Sequence, residues 1–254
     1  MEQGEVIKLD HHKLMCGDAQ KDLDHFIEDE DVKLILSDPP YGVNRMRGHT
    51  KTNDRERPLT INEITARSTI KNSNDFPVFK GDETDFDPSP LVDLNKPMCL
   101  FGGNYFHDKL PNGKKWYVWF KRPSLETNNT GSWSDCELIY TNLKGYQLQC
   151  LHHTWWGMIR SGERRLELME RVHPTQKPVT LLMKLIELHS KKGDTILDPY
   201  GGGGSTLIAC AETGRKCLTM EIMPEYCERI INRYNQYKEE TIKKYGSFNN
   251  YLLT

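Results

Sequence analysis

The tetrapeptide Asp38-Pro39-Pro40-Tyr41 closes the apolar run Val32 to Ser37 and joins a carboxylate, two stiff prolines and an aromatic ring. A side-chain oxygen of Asp38 and the backbone carbonyl of Pro39 would each accept one N–H from an exocyclic amine such as that of adenine or cytosine. That amine is a poor nucleophile because its lone pair is delocalised into the ring. Two acceptors draw the nitrogen towards tetrahedral geometry and free the pair. Pro39 and Pro40 rigidify the turn and have no N–H to compete, while Tyr41 offers a face for a flat base. Bond formation at such a nitrogen needs positioning and charge placement more than acid–base power, and no metal. The same four residues also suit a plain strand-ending turn.

A second constellation lies far along the chain. Asp198-Pro-Tyr-Gly-Gly-Gly-Gly-Ser205 joins an apolar run to a helical pattern. Its glycines let backbone fold closely round a ligand at the carboxyl end of a strand, where open parallel sheets bind ligands. About 20 residues on, Glu221 ends the next strand and is placed to accept hydrogen bonds from ribose hydroxyls. This suits a nucleoside cofactor, although a glycine turn that only permits tight packing fits as well. Counting from Gly201, Thr206 stands where GxGxxG has its third glycine, which disfavours a dinucleotide. No lysine follows to cradle phosphate, which excludes a P-loop.

These residues need strands and helices that deliver them to one place. Val32 to Ser37 is the clearest strand, stopped by the prolines. Met98 to Phe101, Trp116 to Phe120, Glu137 to Tyr140 and Gln147 to Leu151 are further candidates, the last three as an antiparallel patch. Pro178 to Ser190 puts Leu181, Leu182, Leu185, Ile186 and His189 on one helical stripe after a proline suited to the first turn. His189 there reads as a packing residue rather than a ligand. The order TIL, glycine run, STLIACAET, Gly214 cap and KCLTMEI is a complete βαβ unit. After Pro224 an amphipathic helix turns Tyr226, Ile230 and Tyr234 inward. Alternating strands and helices predict an α/β fold with a parallel sheet covered by helices.

The chain has 254 residues, enough for one large core, and a single domain is expected over 1–254. Lys and Arg number 34 against 36 Asp and Glu, a net of -2, so any grip on nucleic acid must be a local basic surface. The seven cysteines contain no CxxC pair and read as reduced thiols, mostly buried. The N-terminus has no apolar segment and no apolar run is long enough to span a bilayer, which points to a soluble, cytoplasmic protein.

With both constellations in view, the chain resembles the β group of DNA amino-methyltransferases, in which the catalytic motif precedes the cofactor motif. Asp38 to Tyr41 matches the family's DPPY, Asp198 to Thr206 its DPFxGSGTT, and His173-Pro-Thr-Gln-Lys-Pro178 its HPTQKP. Tyr200, Gly203 and Ser205 depart from the family's Phe, Ser and Thr, and Gly203 removes a hydroxyl. The likeness implies a Rossmann-like S-adenosylmethionine-dependent methyltransferase fold, a seven-stranded, mostly parallel sheet with one antiparallel strand. It implies a cofactor site of Asp18 at the adenine, Thr175 and Lys177 near the methionine carboxylate, Glu221 on the ribose, and Asp198, Tyr200, Gly202, Gly204 and Ser205 in the turn. By the same likeness Asp38, Pro39, Pro40 and Tyr41 are the catalytic residues. Asp at the first motif position is more typical of adenine N6 than of cytosine N4 enzymes in this family. The expected function is site-specific methylation of adenine N6 in double-stranded DNA by base flipping. Cytosine N4 or RNA is the alternative. A nicotinamide-dependent oxidoreductase is more remote, because it leaves DPPY and HPTQKP unexplained.

To reach a stacked base, the enzyme must extrude the nucleotide, at a cost of about a few kcal/mol. Trp116 to Trp119 and Trp155-Trp156 are candidate stacking surfaces or core rings. The polar segment at about 44–74 follows Tyr41 directly, and its Arg45, Arg47, Lys51, Arg55 and Arg57 are expected to fold over DNA, unless it is a solvated loop. The region at about 144–171, with Arg160, Arg164, Arg165 and Arg171, is a second, short recognition surface. It suits a short target read with a second subunit, since relatives of this group are often homodimers.

Overall fold

The structure, a computed structural model, describes residues 1–42, 85–112, 115–126, 134–145, 147–156, 159–167 and 171–248. Arg45, Arg47, Lys51, Arg55 and Arg57 lie outside the described residues, and so does the side chain of Arg164.

Strands β1 (Val6–Leu9) and β2 (His12–Cys16) form a hairpin that leads into helix α1 (Ala19–Ile27) and strand β3 (Val32–Ser37). Helix α2 (Ser89–Asp93) precedes β4 (Met98–Phe101), β5 (Lys115–Phe120), β6 (Cys136–Thr141) and β7 (Leu148–His152). A small pair, β8 (Trp155–Trp156) and β9 (Ile159–Arg160), and helix α3 (Arg164–Glu167) follow. Helix α4 (Val179–His189), β10 (Thr195–Asp198), α5 (Ser205–Thr213), β11 (Lys216–Glu221) and α6 (Pro224–Tyr245) complete the described fold.

The main sheet has nine strands in the order β1-β2-β11-β10-β3-β4-β6-β5-β7. This corrects the expected count of seven. The seven central strands, β2 through β5 in that order, do form a parallel array broken only by β6. A strand is added at each edge, β1 antiparallel to β2 and β7 parallel to β5. The expected antiparallel patch therefore holds for β5 and β6 only. Strand β7 runs parallel to β5 and does not pair with β6. The β1–β2 hairpin escaped the sequence reading because its short, lysine- and histidine-rich strands lack an uninterrupted apolar run.

Side chains alternate between the two faces of the sheet, as the twofold period of a strand requires. On β3, Leu34 and Leu36 face a core built with α4, α5 and α6, while Ile35 faces a second core that contains Leu23 of α1 and Leu91 of α2. Cys99 and Phe101 of β4 join the first core, Met98 and Leu100 the second. Burial on both faces explains why β3 and β4 read as continuous apolar runs. Helix α4 starts after Pro178 and buries Val179, Leu181, Leu182, Leu185 and Ile186. His189 has a partner: its Nε2 lies 2.8 Å from the Tyr117 hydroxyl. Tyr226, Ile230 and Tyr234 are buried along α6. Five of the seven cysteines are buried, with Cys136 half-buried and Cys150 exposed.

Candidate active site

Strands β10 and β3 are parallel neighbours, with Leu197 opposite Ile35, so their carboxyl ends open side by side. That adjacency brings together Ser37 and Asp198, 161 positions apart in the chain. Ser37 donates from its hydroxyl to Asp198 Oδ1 at 2.6 Å, tying the end of β3 to the start of the glycine turn. The order changes direction here, since β11 lies on one side of the pair and β4 on the other, and such a crevice is where open α/β sheets bind ligands.

A small open cleft occupies this crevice, lined by Asp38, by His173, Thr175, Gln176 and Lys177, and by residues of the turn that starts at Asp198 and ends at Thr206. All three motifs read in the sequence therefore meet in one cavity. Gly202 and Gly204 have positive φ, and Gly204, at +71°, hands the chain to α5 with no side-chain cap on the helix. At Gly203 a Cβ would stand 3.1 Å from His173 Cβ and 3.2 Å from Gln176 Oε1, a tight fit. The missing hydroxyl thus goes with a close approach between the glycine turn and the HPTQKP segment. From behind, buried Arg233 of α6 donates to the Gly203 carbonyl at 2.5 Å and to Ser205 Oγ at 3.1 Å. Burial lowers the Arg233 guanidinium to about 10.

The cleft holds several carboxyl groups in unusual states. Burial pushes Asp198 up to about 6, against the hydrogen bond from Ser37. Burial also pushes Glu221 up to about 7. Glu221 stands behind the turn rather than in the cleft wall, and it accepts the N–H groups of Gly202 at 2.9 Å and Met223 at 3.0 Å. His173 is driven down to about 3 by burial and by Lys177, Arg171 and Arg229, so it is neutral. Its Nδ1 lies 3.1 Å from Thr175 Oγ1.

Asp38 is held at both oxygens. The Tyr41 hydroxyl donates to Oδ1 at 2.5 Å and the Lys177 ammonium to Oδ2 at 2.6 Å. Burial raises Asp38 above the usual carboxylate range, Lys177 opposes it and Glu137 adds to it. One-fifth of the Asp38 side chain, 20%, is still exposed, enough for an incoming group to touch it. Lys177, which the resemblance puts near a cofactor carboxylate, points its ammonium at Asp38 and at Glu137 Oε2, 3.5 Å away. Tyr41 packs on the backbone of Gly102, and its ring is stacked at 15° and 4.9 Å against Tyr105, which is 46% exposed. The Tyr41 face expected to meet a base is thus covered by a second tyrosine.

Asp18 caps α1, accepting from Gln20 N at 3.0 Å and pairing with Lys21 at 2.8 Å. Burial works to raise its carboxyl, but Lys21 and the Gln20 N–H hold it below the usual range. Asp18 does not line the cleft, yet the next turn reaches it: Gln20 Nε2 donates to the Tyr200 hydroxyl at 2.9 Å. Tyr200 in turn meets Phe86 edge-on at 5.5 Å.

Among the described residues no tryptophan lines the cleft. Trp119 is core, Trp116 packs edge-on to Tyr140 at 5.4 Å, and Trp155 lies under the Arg160 guanidinium at 4.3 Å. Arg165 is taken up by Glu163, Glu212 and Thr241, and Arg171 by the carbonyls of His173 and Pro174. Gly102, Tyr105, Glu137, Gln176 and Arg233 have no role in the sequence reading. Phe101-Gly-Gly-Asn-Tyr105, a glycine pair just past a buried strand, carried a signal for the first two, and Gln176 lies within the HPTQKP segment already singled out. Among the described residues no helix is long and apolar enough to cross a membrane, and no cluster of His, Cys, Asp or Glu could hold a metal.

Several known proteins are similar to this chain. The putative methylase YubD of Escherichia coli is 43% identical over 56 residues, which are 22% of this chain and 25% of that protein. The type II methyltransferase M.HpaI of Haemophilus parainfluenzae is 24% identical over 244 residues, covering 87% of this chain and 73% of that protein. The crystal structure of the M1.HpyAVI–SAM complex aligns with a TM-score of 0.48 at 22% identity, over 87% of this chain and 98% of that one. A family model described as DNA methylase, of the N6/N4 class, matches residues 95–233, which include the HPTQKP segment, the glycine turn and part of α6. The chain belongs to that family of DNA amino-methyltransferases.

Proposed function

We propose that the protein transfers the methyl group of S-adenosylmethionine to adenine N6 in double-stranded DNA. One observation carries the reading: Asp38 and the glycine turn line the same cleft. The residues present fit the cofactor. A backbone turn free of side chains allows close approach, and Glu221 sits just behind it on the Gly202 N–H. The bound cofactor supplies an activated methyl group on a sulfonium. In this reading Gly202, Gly204 and Ser205 hold it through backbone and hydroxyl, Thr175 borders its amino-acid end, Glu221 accepts from its ribose, and Asp18 and Tyr200 close the adenine end.

This chain's own work is on the acceptor. Asp38 and the Pro39 carbonyl take the two N–H bonds of the exocyclic amine and turn its lone pair towards the methyl group. Tyr41 fixes the Asp38 carboxylate in orientation through the 2.5 Å hydrogen bond. The base reaches this pocket by flipping out of the duplex and replaces Tyr105 against the Tyr41 ring. Asp38 as the first residue of the motif is what favours adenine. The test is transfer of a labelled methyl group to duplex DNA, followed by mass analysis of the nucleosides. N6-methyladenine is expected. N4-methylcytosine would move the target to cytosine, and label confined to RNA, or none at all, would overturn the reading.

A further inference from the structure

We propose that Lys177 is a positioning residue for the methyl acceptor: it occupies Asp38 Oδ2 until the exocyclic amine arrives, then passes to Glu137. The inference rests on the reading that Asp38 receives that amine. In the structure the Tyr41 hydroxyl and the Lys177 ammonium hold one Asp38 oxygen each, so an arriving N–H shares an oxygen with one of them. The amine therefore competes with whichever donor is held less firmly. The hydroxyl is fixed by Gly102 beneath its ring, whereas the ammonium has a second seat close by.

That second seat is Glu137 Oε2, 3.5 Å from Lys177 Nζ. The lysine also lies over the rings of Phe101 at 5.2 Å and Tyr41 at 5.7 Å, so a short shift keeps it beside an anion and an aromatic face. Glu137 is shared with Lys121 at 3.2 Å. Because the two seats are this close, the shift loosens the ammonium from Asp38 without taking its charge away from the pair, and no ion is left alone in a buried place, which would be costly.

The exchange has a chemical purpose. A buried aspartate with no cation beside it tends to protonate, and a protonated carboxyl loses acceptor capacity just where the amine needs it. The charged groups facing Asp38 are Lys177, Glu137, Tyr41 and Asp198. Of these Lys177 alone holds it ionised by charge, while Glu137 and Asp198 push the other way. A lysine suits the task better than an arginine, because a point charge on a flexible stem gives way where a bidentate fork would clamp both oxygens.

The experiment measures kcat/KM for DNA across about pH 5 to 9 for wild type, Lys177→Met and Glu137→Gln, with S-adenosylhomocysteine affinity by calorimetry. Lys177→Met should move the acid limb upward by about one unit, because the cation that lowers Asp38 is gone. Glu137→Gln should move it downward, because an anion that raises Asp38 is gone, and should raise KM for DNA, because the ammonium has lost its second seat. Both should keep S-adenosylhomocysteine affinity within about threefold of wild type. Damage to the fold does not produce limbs that move in opposite directions. Limbs that stay put or move together would overturn the proposal. So would a loss of about tenfold or more in S-adenosylhomocysteine affinity in Lys177→Met, which would make the lysine a cofactor ligand. A wild type that transfers no methyl group to DNA would instead sink the functional reading beneath it.

Discussion

Single residues decide whether the acceptor side of the cleft is usable. Gly102 is one of them: its φ is +68° and a Cβ there would stand 2.1 Å from Tyr41 Cε1. Gly102→Ala must push the Tyr41 ring aside and break its bond to Asp38. The expected result is about a hundredfold loss of methyl transfer, since misplacement by about an ångström costs that much. Backbone strain should cost about 1–3 kcal/mol of stability. S-adenosylhomocysteine affinity should be unchanged, because Tyr41 is not part of the glycine turn. Activity assays, thermal melts and calorimetry on the variant check the three parts separately. The place of Asp38 in the cleft at the end of β3 was legible, since a strand stopped by two prolines leaves its last carboxylate at the edge of the sheet. The Lys177 ammonium on Asp38 and Tyr105 on Tyr41 were not, because those pairings depend on how distant segments pack.

At the level of elements, β10 and β3 fix the meeting of the two halves, and α6 shapes the turn from behind. Replacing Arg233 by Met removes the donor to Gly203 and Ser205. We expect S-adenosylhomocysteine binding to weaken by about tenfold, the scale of a hydrogen bond to a charged group; an unchanged dissociation constant would show that the turn holds its shape without the arginine. Glu221, pushed up to about 7 by burial, makes binding and stability respond to pH in opposite senses. Accepting from ribose hydroxyls favours its charged form, so cofactor affinity should rise as pH climbs through about 7. In the free protein the raised carboxyl contributes stability that is complete below its unfolded value and is lost as pH rises through about 7. Relative to Glu221→Gln, the wild type should therefore lose melting temperature between about pH 5 and 8. A constant difference would contradict the assignment. The βαβ unit from Thr195 to Glu221 was legible because each strand is a buried apolar run and each turn has its glycine. The direction of β7 was not, since a short strand carries the same residues whichever way it pairs.

For the molecule as a whole, fold class followed from the alternation of strands and helices, and residues of the three motifs read in the sequence line one cleft. Edge strand β1 was not legible, and β7 was legible as a strand but not as an edge parallel to β5, because nothing in a short, mixed-polarity strand says whether a sheet continues past it. With a net charge of -2, DNA binding must rely on local basic groups. Neutralising Arg45, Arg47, Lys51, Arg55 and Arg57 together should weaken DNA binding and flatten its dependence on salt while cofactor affinity holds. The log–log slope should fall by about 0.9 for each DNA phosphate that is no longer neutralised. Titrations at several salt concentrations check this, and an unchanged slope would remove the segment from the DNA interface. The central claim is that Asp38 pins an acceptor nitrogen in front of a cofactor held by the glycine turn. Its most direct test is the single-turnover rate of methyl transfer to duplex DNA by Asp38→Ala at saturating S-adenosylmethionine. The account predicts that transfer is abolished although the cofactor is bound as in wild type; turnover near the wild-type rate would contradict it.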